Sequence, residues 1–423
     1  MLISKSTNYL QGSSLGPIAR LSTIVFLVVT MLIGLRFGED SQLAFLARQE
    51  FIILLFGLAV GALILTPIKV VMKIPLSISI LALLVWMAFS IGWTYNSVAT
   101  KFIFTRTFPL YFGMLCVSGI VSFSDIKLSM VWFTRIIVVS TFIAAVIFPE
   151  TRIHINADAF AEGTYPGWHG FFGHKNIMSP VLVLGLLTVY LFDKNTILKY
   201  STMVSIAVLL ILSTSATGLS AAILGLSFLV WLKLFRDFDS RSSTLFFVVS
   251  IFFGVVILGA VITSLGSIAQ AYGKDLTFTG RTDIWSTAIT FIGREPFLGY
   301  GLNGIFWRGD GGSGPESYEF WGIIGFRISH VHNGILDLIL QIGLIGAVLY
   351  AGLVLSTLYG GWKIYDDYPD ISLWIVSVLF AQIFIGLSES VFLGGWLLLI
   401  FLMKVMTMRA NLEKNQNSKL SLL

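Results

Sequence analysis

Long apolar segments recur along almost the whole chain, separated by short polar connections. The segments are roughly 16 to 24 residues long and nearly free of charge, which matches the ~20 residues that an α-helix needs to cross a ~30 Å hydrocarbon core. A membrane barrel would instead show strands that alternate over ~10 residues. The pattern predicts an all-α integral membrane protein with about twelve transmembrane helices. We place these helices near residues 21–38, 51–66, 75–93, 104–122, 128–148, 177–193, 200–214, 217–234, 245–268, 333–361, 371–388 and 391–408.

The weakest division is the short hairpin from Ser213 to Thr217. If one long helix crosses there instead, the count becomes odd and the two termini lie on opposite sides. Lysine and arginine are enriched in cytoplasmic connections, and an even count places most connecting basic residues on one side. These residues are Lys69, Lys73, Lys127, Lys194, Lys199, Lys233, Arg236, Arg241 and Lys363. We therefore expect a multi-pass protein of the bacterial inner membrane with cytoplasmic N- and C-termini.

This topology leaves two long segments on the periplasmic side, and long loops of this kind are usually functional or disordered. Both segments are rich in aromatic residues, which argues against disorder. The resulting division is N-terminal helices 1–148, a first periplasmic loop 149–176, central helices 177–268, a large periplasmic loop 269–332, C-terminal helices 333–408 and a cytoplasmic tail 409–423. Within the large loop, residues 283–292 have helical apolar spacing and predict a short amphipathic helix.

Composition narrows the possible partners. The chain is 56% hydrophobic and only 12% charged, as expected for a protein whose surroundings are mostly lipid. Its net charge of +5 comes mainly from residues that flank apolar segments, so we predict no nucleic-acid partner. The single cysteine, Cys116, excludes a disulfide framework and a cysteine-based metal site.

All five histidines lie in the two predicted loops, at positions 154, 169, 174, 330 and 332. The first motif is the segment 170–176, in which His174, Lys175 and Asn176 come just before a predicted helix. The N-terminus of a helix favours an anion such as a phosphate. The alternative is an interfacial anchor in which Lys175 snorkels and Asn176 caps the helix.

Arg281 lies in the second motif, segment 279–285, immediately before the amphipathic segment. Its planar guanidinium can bind phosphate oxygens with two parallel hydrogen bonds. A surface ion pair with Asp283 is the alternative.

The third motif is the segment 329–334, which contains His330, His332 and Asn333 before another helix. A histidine at this place can exchange a proton near neutral pH, so either histidine is a candidate general base towards a sugar hydroxyl. Helix capping explains Asn333 alone. A metal site formed by His330, His332 and His174 is the other interpretation, although no acidic cluster lies nearby.

Three further charged residues are candidates for substrate binding: Arg152, Arg327 and Glu389. Glu389 lies between two apolar segments, where a carboxylate is costly unless it is solvated or paired. Arg281 and Arg327 are possible partners for it.

Taken in order, these segments resemble the superfamily of O-antigen ligases and Wzy polysaccharide polymerases. The matching pieces are Phe172-Gly-His-Lys-Asn176, the turn 213–218, Gly280-Arg281, the segment 296–302, His332-Asn333 and Gln341-Ile-Gly343. The first piece looks especially like the ExoQ-type exopolysaccharide polymerases.

The resemblance implies a GT-C-like fold and a metal-independent, inverting glycosyltransferase without a cofactor, acting on the periplasmic face. Arg281 would bind the pyrophosphate of the donor, and His332 would activate the acceptor hydroxyl or assist departure of the lipid pyrophosphate. Many relatives carry arginine or lysine where this chain has Ala216. A second cation would then come from Lys175, Arg152 or Arg327, of which Lys175 is favoured by its position at a helix start.

The resemblance favours a polymerase that transfers a glycan from undecaprenyl pyrophosphate to a lipid-linked repeat unit. The expected partners are membrane lipids and a chain-length regulator. A ligase that moves O-antigen to lipid A core is the alternative. A flippase for lipid-linked sugars fits less well, because transporters usually bind substrate at broken helices near the bilayer midplane.

Overall fold

The computed structural model describes residues 49–64, 66, 75–156, 163–234, 281–306 and 314–420. Within these ranges the chain forms twelve α-helices and one two-stranded hairpin. The helices are α1 (Gln49–Ile64), α2 (Ile78–Phe89), α3 (Ser97–Ile120), α4 (Phe123–Ile147), α5 (Lys175–Phe192), α6 (Thr196–Leu212), α7 (Ala216–Leu234), α8 (Arg281–Arg294), α9 (Pro315–Ile324), α10 (Gly334–Lys363), α11 (Pro369–Gly386) and α12 (Gly395–Leu420). The helices predicted at 21–38 and 245–268 lie outside the described residues.

The described helices confirm the multi-pass membrane protein. Six of them are long and apolar enough to cross a membrane, namely α4, α5, α7, α10, α11 and α12. Large apolar side chains such as Val146, Val348 and Leu355 are exposed on helix surfaces, as expected where helices face lipid. The division at residues 213–215 is also confirmed, since α6 ends at Leu212 and α7 begins at Ala216.

Two features differ from the prediction. The last helix was expected to end near residue 408, with 409–423 as a tail, but α12 continues to Leu420. Hydropathy misses this extension because its residues are mostly polar, whereas Arg409 is buried and donates to the Ser118 and Val121 carbonyls. The all-α prediction also missed an antiparallel hairpin, in which β1 (Ile153–Asn156) pairs with β2 (Gly163–Pro166).

The main core lies inside the bundle, where α5 packs against α11 and where α12 packs against α3 and α10. Trp374 of α11 is fully buried, and its indole N–H donates to Thr188 Oγ1 of α5 at 3.0 Å. This hydrogen bond satisfies a polar group that would otherwise be costly in an apolar interior. The bundle core is therefore fixed by packing together with specific polar contacts.

A second, smaller core lies in the described part of the large loop. Helix α8 confirms the predicted amphipathic helix, because Ile284, Ala288 and Phe291 are buried on one face. Phe320 of α9 packs against Phe291, with ring centroids 5.1 Å apart. Leu340 of α10 belongs to the same cluster. Helices α8 and α9 thus pack on the first turns of α10.

Gly343 divides α10 into two parts. Its backbone has φ 69° and ψ 178°, a conformation that is essentially limited to glycine. After the kink, residues 344–363 have a helical length of about 30 Å, enough to span the hydrocarbon core. The part before the kink, 334–342, carries the smaller core.

Neighbouring segments form hydrogen bonds with backbone groups on both sides of the kink. The Leu344 amide donates to the Pro296 carbonyl at 2.8 Å, and the Tyr300 amide donates to the Leu340 carbonyl at 2.9 Å. The indole of Trp86 in α2 donates to the Ile342 carbonyl at 2.8 Å. These bonds dock the segment 296–300 onto α10. The kink is therefore held by specific hydrogen bonds and is not a frayed part of the helix.

We predict that Gly343→Ala destabilises the protein by about 2 kcal/mol or more, because an alanine at this φ and ψ is strained. A Cβ atom there would also clash with the Phe297 carbonyl oxygen. The measurement is thermal unfolding in detergent, followed by size-exclusion chromatography.

Gly352→Ala is the matched control, because Gly352 lies in the same helix and a Cβ atom there meets nothing within 4 Å. Its melting temperature should equal that of the wild type or exceed it slightly. An unchanged melting temperature for Gly343→Ala would show that the kink is absent.

Candidate functional site

Polar residues from several connections meet at one end of the bundle. They come from the start of α5, the turn before α7, the start of α8, the start of α10 and the link between α11 and α12. We call the central group the Glu389 cluster and define it as Asn176, Ser215, Arg281, His332, Ser388 and Glu389. The sequence places these residues far apart, so only the tertiary fold brings them together.

Glu389 is the centre of this cluster and is 4% exposed. Its Oε1 accepts from Asn176 Nδ2 at 2.8 Å and from Arg281 Nη2 at 3.0 Å. Its Oε2 lies 3.3 Å from His332 Nδ1. The predicted pairing of Glu389 with Arg281 is therefore confirmed.

These contacts keep the buried carboxyl group ionised. Burial alone would raise its pKa, but the charge of Arg281 and the hydrogen bond with His332 lower the pKa of Glu389 from 4.5 to about 2. A depressed pKa means that the charge stabilises the fold above pH 4.5 and that this stabilisation is lost as the pH falls towards 2. Glu389 is thus ionised at ordinary pH, and its charge is paired with that of Arg281.

Arg281 is the first residue of α8 and is oriented by the link between α11 and α12. Its Nη1 donates to the Ser388 carbonyl at 2.7 Å, in addition to the ion pair with Glu389. A guanidinium has five N–H donors, so these two bonds use part of its capacity. Arg281 is therefore paired with Glu389 and not, as the alternative interpretation had it, with Asp283 at the surface.

His332 has an unusual backbone conformation beside Glu389. Its φ is +52°, which is uncommon for a residue other than glycine and costs of order 1 kcal/mol. If the Nδ1–H donates to Glu389, the ring is held in the tautomer whose Nε2 accepts a proton. The His330 ring lies close by, with its centroid 4.2 Å from that of His332, and His330 Nδ1 is 3.0 Å from Ser329 Oγ.

The segment 174–176 joins the cluster to the turn before α7. His174, rather than Asn176, is the N-cap of α5, because His174 Nδ1 accepts from the Asn176 amide at 3.0 Å. The predicted capping role of Asn176 is therefore wrong, and its side chain is available to Glu389 instead. Asn176 Oδ1 accepts from Ser215 Oγ at 3.2 Å.

Lys175 reaches the same turn. Its ammonium donates to Thr214 Oγ1 at 3.0 Å. Thr214 itself has φ +52°, so the turn has a second strained residue near the cluster. The lysine therefore lies next to the position where many relatives are expected to carry a cation.

Asn333 has the predicted capping role and one more contact. Its Oδ1 accepts from the Ile335 and Leu336 amides at the start of α10. Its Nδ2 donates to the Leu387 carbonyl at 3.3 Å, which ties the histidine segment to the link that carries Glu389.

Two predicted binding residues are not brought into the cluster. The guanidinium of Arg327 lies over the Trp321 ring, 5.6 Å from its centroid. Arg152 is exposed at the start of β1, in the short 3₁₀-helix that follows α4. No described contact joins either residue to Glu389.

The structure gives a set of candidate metal ligands that differs from the predicted set. Its predicted ligand His174 is engaged as a helix cap, whereas His330, His332 and Glu389 place potential ligand atoms within 4.8 Å of one another. Two histidines and a carboxylate are a known metal-binding set. However, the guanidinium of Arg281 contacts the same carboxylate, and its positive charge opposes a second cation there.

Sequence reasoning underestimated Glu389 and did not identify Ser215 or Ser388. The available signal was the carboxylate itself, since an acidic residue flanked by two apolar segments must find a partner. No comparable signal marks the two serines, because one contributes a side-chain hydroxyl and the other a backbone carbonyl.

Comparisons with known proteins match the middle of the chain. Residues 201–351 match the family Wzy_C, described as O-antigen ligase. This segment includes Arg281 and His332 but not Asn176 or Glu389. The exopolysaccharide production protein ExoQ of Rhizobium meliloti (strain 1021) is 32% identical over 142 residues, and the match spans about a third of each chain, 32% of both. These two findings confirm the predicted resemblance to the O-antigen ligase and Wzy-like superfamily, over about a third of the chain.

Proposed function

We propose that this protein is an exopolysaccharide polymerase that transfers a glycan from a polyprenyl pyrophosphate to a lipid-linked repeat unit. The observation that carries the proposal is the buried carboxylate of Glu389, which contacts a histidine through one oxygen and an arginine through the other. A base and an anion-binding cation are the two groups that such a transfer needs side by side. The similarity to an exopolysaccharide production protein supports a role in the assembly of exopolysaccharide.

Arg281 binds the pyrophosphate of the donor. A guanidinium matches phosphate oxygens with parallel hydrogen bonds, and its contacts with Ser388 and Glu389 hold it in one orientation. Lys175 supplies the second cation from the start of α5, beside Thr214. Together they stabilise the negative charge that develops on the departing lipid pyrophosphate.

His332 acts as the general base. Its Nε2 takes the proton of the acceptor hydroxyl, and the acceptor oxygen attacks the anomeric carbon of the donor sugar. The bond between that carbon and the pyrophosphate oxygen breaks, and the electron pair leaves with the lipid pyrophosphate. This single displacement inverts the anomeric configuration. Glu389 stabilises the imidazolium that forms and fixes the ring through Nδ1.

Asn176, Asn333 and His174 are positioning residues. Asn176 bonds Glu389, Asn333 bonds the Leu387 carbonyl, and His174 caps the helix that carries Lys175 and Asn176. His330 lies against His332 and assists its proton transfer.

The topology that accompanies this function is the predicted one: about twelve spans in a GT-C-like arrangement in the inner membrane, with cytoplasmic termini and the cluster on the periplasmic face. The grouping of polar residues at helix ends supports an enzyme over a flippase, because a flippase needs its substrate site near the bilayer midplane. A ligase that transfers O-antigen to lipid A core is the second candidate, favoured by the description of the matching family.

The proposal predicts the polysaccharide pools of cells that lack this protein. We expect single lipid-linked repeats to accumulate and long polymer to disappear, with rescue by the wild type but not by Arg281→Ala or His332→Asn. Asparagine tolerates the left-handed backbone of His332, so His332→Asn removes the base with little strain. The measurement is the size profile of surface polysaccharide and lipid-linked oligosaccharide. Long lipid-linked polymer without transfer would identify a ligase, and unchanged pools would refute glycosyl transfer.

Glu389→Gln should lower the transfer rate about 100-fold or more, because the charge that stabilises the imidazolium is lost while size and shape are kept. The measurement is the initial rate of glycan transfer by the purified protein. Glu319→Gln is the matched control. It breaks an ion pair with Arg294 whose side chains are 46% and 48% exposed, and such surface pairs contribute little. Equal rates for the two variants would contradict the role of Glu389.

Metal removal should leave the rate unchanged within about twofold, because Arg281 already neutralises the carboxylate that a metal would need. The test is the transfer rate before and after treatment with a chelator. A rate that falls with the chelator and recovers with a divalent cation would instead assign His330, His332 and Glu389 as metal ligands.

A further inference from the structure

A cleft of about 350 Å³ lies apart from the Glu389 cluster, and this volume is at the low end of the ~300–1,000 Å³ typical of ligand pockets. We call it the aromatic cleft. It is lined by Trp93, Thr94, Tyr95, Glu295, Leu298 and Gly299. It lies beyond the C-terminal end of α8, whereas Arg281 is at the N-terminal end, about 20 Å away along the 14-residue helix.

The walls of the cleft are held by backbone contacts. Thr94 Oγ1 donates to the Tyr300 carbonyl at 3.0 Å, and the indole of Trp93 donates to the Leu298 carbonyl at 3.0 Å. The Trp86 ring packs against Trp93, with centroids 4.9 Å apart. Because both walls are fixed, the cleft is preorganised for a ligand and loses little entropy on binding.

Aromatic surface and a hydrogen-bond acceptor lie side by side here. Tyr95 is 45% exposed, although it is a large side chain that packs against Tyr300. Its hydroxyl donates to Glu295 Oε1 at 2.8 Å, which fixes the ring and the carboxylate together. A pyranose has an apolar face of C–H groups and a rim of hydroxyl donors, so a ring face next to a carboxylate matches both of its sides.

A second carboxylate lies nearby with an unused oxygen. Glu316 Oε2 is buried and has no hydrogen-bond partner within the described part of the chain. Gly314, two residues before it, lies beside the Tyr95 carbonyl. This oxygen is shielded from solvent and does not line the cleft, so Glu316 contributes its negative charge to the surroundings of the cleft.

The negative charge around the cleft favours the neutral sugars of a lipid-linked glycan over its phosphate groups. Glu295 and Glu316 make its surroundings acidic, and the neighbouring Arg294 is engaged by Glu319. Two carboxylates repel a pyrophosphate but accept hydrogen bonds from neutral hydroxyl groups. The cleft is therefore suited to sugar rings and unsuited to the anionic end of a lipid-linked donor.

We propose that the aromatic cleft is a glycan-binding subsite that holds a saccharide segment of the acceptor or growing chain, several sugar units away from the bond being formed. This inference rests on the proposed function for the source of the glycan. Binding there retains the polymer between successive transfers, so weakening it shortens the product without abolishing transfer.

The test is binding of the lipid-free oligosaccharide released by mild acid from the lipid-linked repeat of the source cells. Saturation-transfer NMR with the full chain in detergent measures the affinity of the wild type, Tyr95→Ala, Glu295→Gln and Tyr318→Ala. We expect Tyr95→Ala to bind roughly 5- to 30-fold more weakly, the usual loss for an interface aromatic. Glu295→Gln should bind more weakly as well. Tyr318→Ala is the matched control, since Tyr318 is 54% exposed but does not line the cleft, and its affinity should be unchanged.

Polymer length gives the second readout. Cells with Tyr95→Ala should make shorter chains, whereas Arg281→Ala should lose transfer yet keep oligosaccharide binding. The subsite is overturned, and the proposed function is left intact, if the wild type does not bind the oligosaccharide. The same holds if Tyr95→Ala and Glu295→Gln bind it as tightly as the wild type does. Binding that depends on Tyr95 in a protein whose deletion changes no glycan pool supports the subsite and refutes the polymerase.

Discussion

The buried ion pair between Arg281 and Glu389 is the interaction on which the functional end of the molecule depends. Removing a carboxylate from water costs several kcal/mol unless partners replace the lost hydration. Glu389 obtains those partners from three distant segments, at the starts of α5, α8 and α10. The charge therefore requires these segments to be assembled before it can be buried, and the same contacts orient Arg281 and His332. Stability and function share one set of bonds here.

Gly343 imposes a second constraint on the same arrangement. The kink separates a membrane-spanning part of α10 from a part that packs with α8 and α9. Arg281 begins α8 and His332 precedes α10, so their separation depends on how these two helices pack. The segment 296–300, docked at the kink, fixes that packing from the side of α2. A conformation available only to glycine thus sets the geometry of side chains more than two helical turns away.

Hydropathy predicted most spanning helices because lipid requires about 20 apolar residues in a row. It failed where polar residues continue a helix. Helix α3 begins at Ser97 rather than near residue 104, since Thr100 faces inward and donates to the Leu302 carbonyl. The extension of α12 past residue 408 was missed for the same reason. Hydropathy reports whether a side chain prefers lipid or water, whereas these helix ends are stabilised by contacts with other parts of the protein.

The site was predictable in its residue types but not in its pairings. Arg281, His332 and Asn176 stand out as polar groups beside apolar helices. Whether Arg281 pairs with Asp283 or Glu389, however, depends on packing between elements more than 100 residues apart. The exchange of capping roles between His174 and Asn176 depends on a two-residue shift of the helix start, which local pattern does not resolve.

The distribution of charge connects the two ends of α8. Basic groups, Arg281 and Lys175, lie at the cluster, whereas the carboxylate of Glu295 lines the aromatic cleft. A lipid-linked glycan has the same polarity, with a dianionic pyrophosphate at one end and neutral sugars along the rest. Anions are stabilised by cations and excluded by carboxylates, so a substrate aligned in the opposite direction would place its phosphates against Glu295. In the proposed function, the helix that separates the two charge types therefore sets the direction in which the glycan lies across the protein.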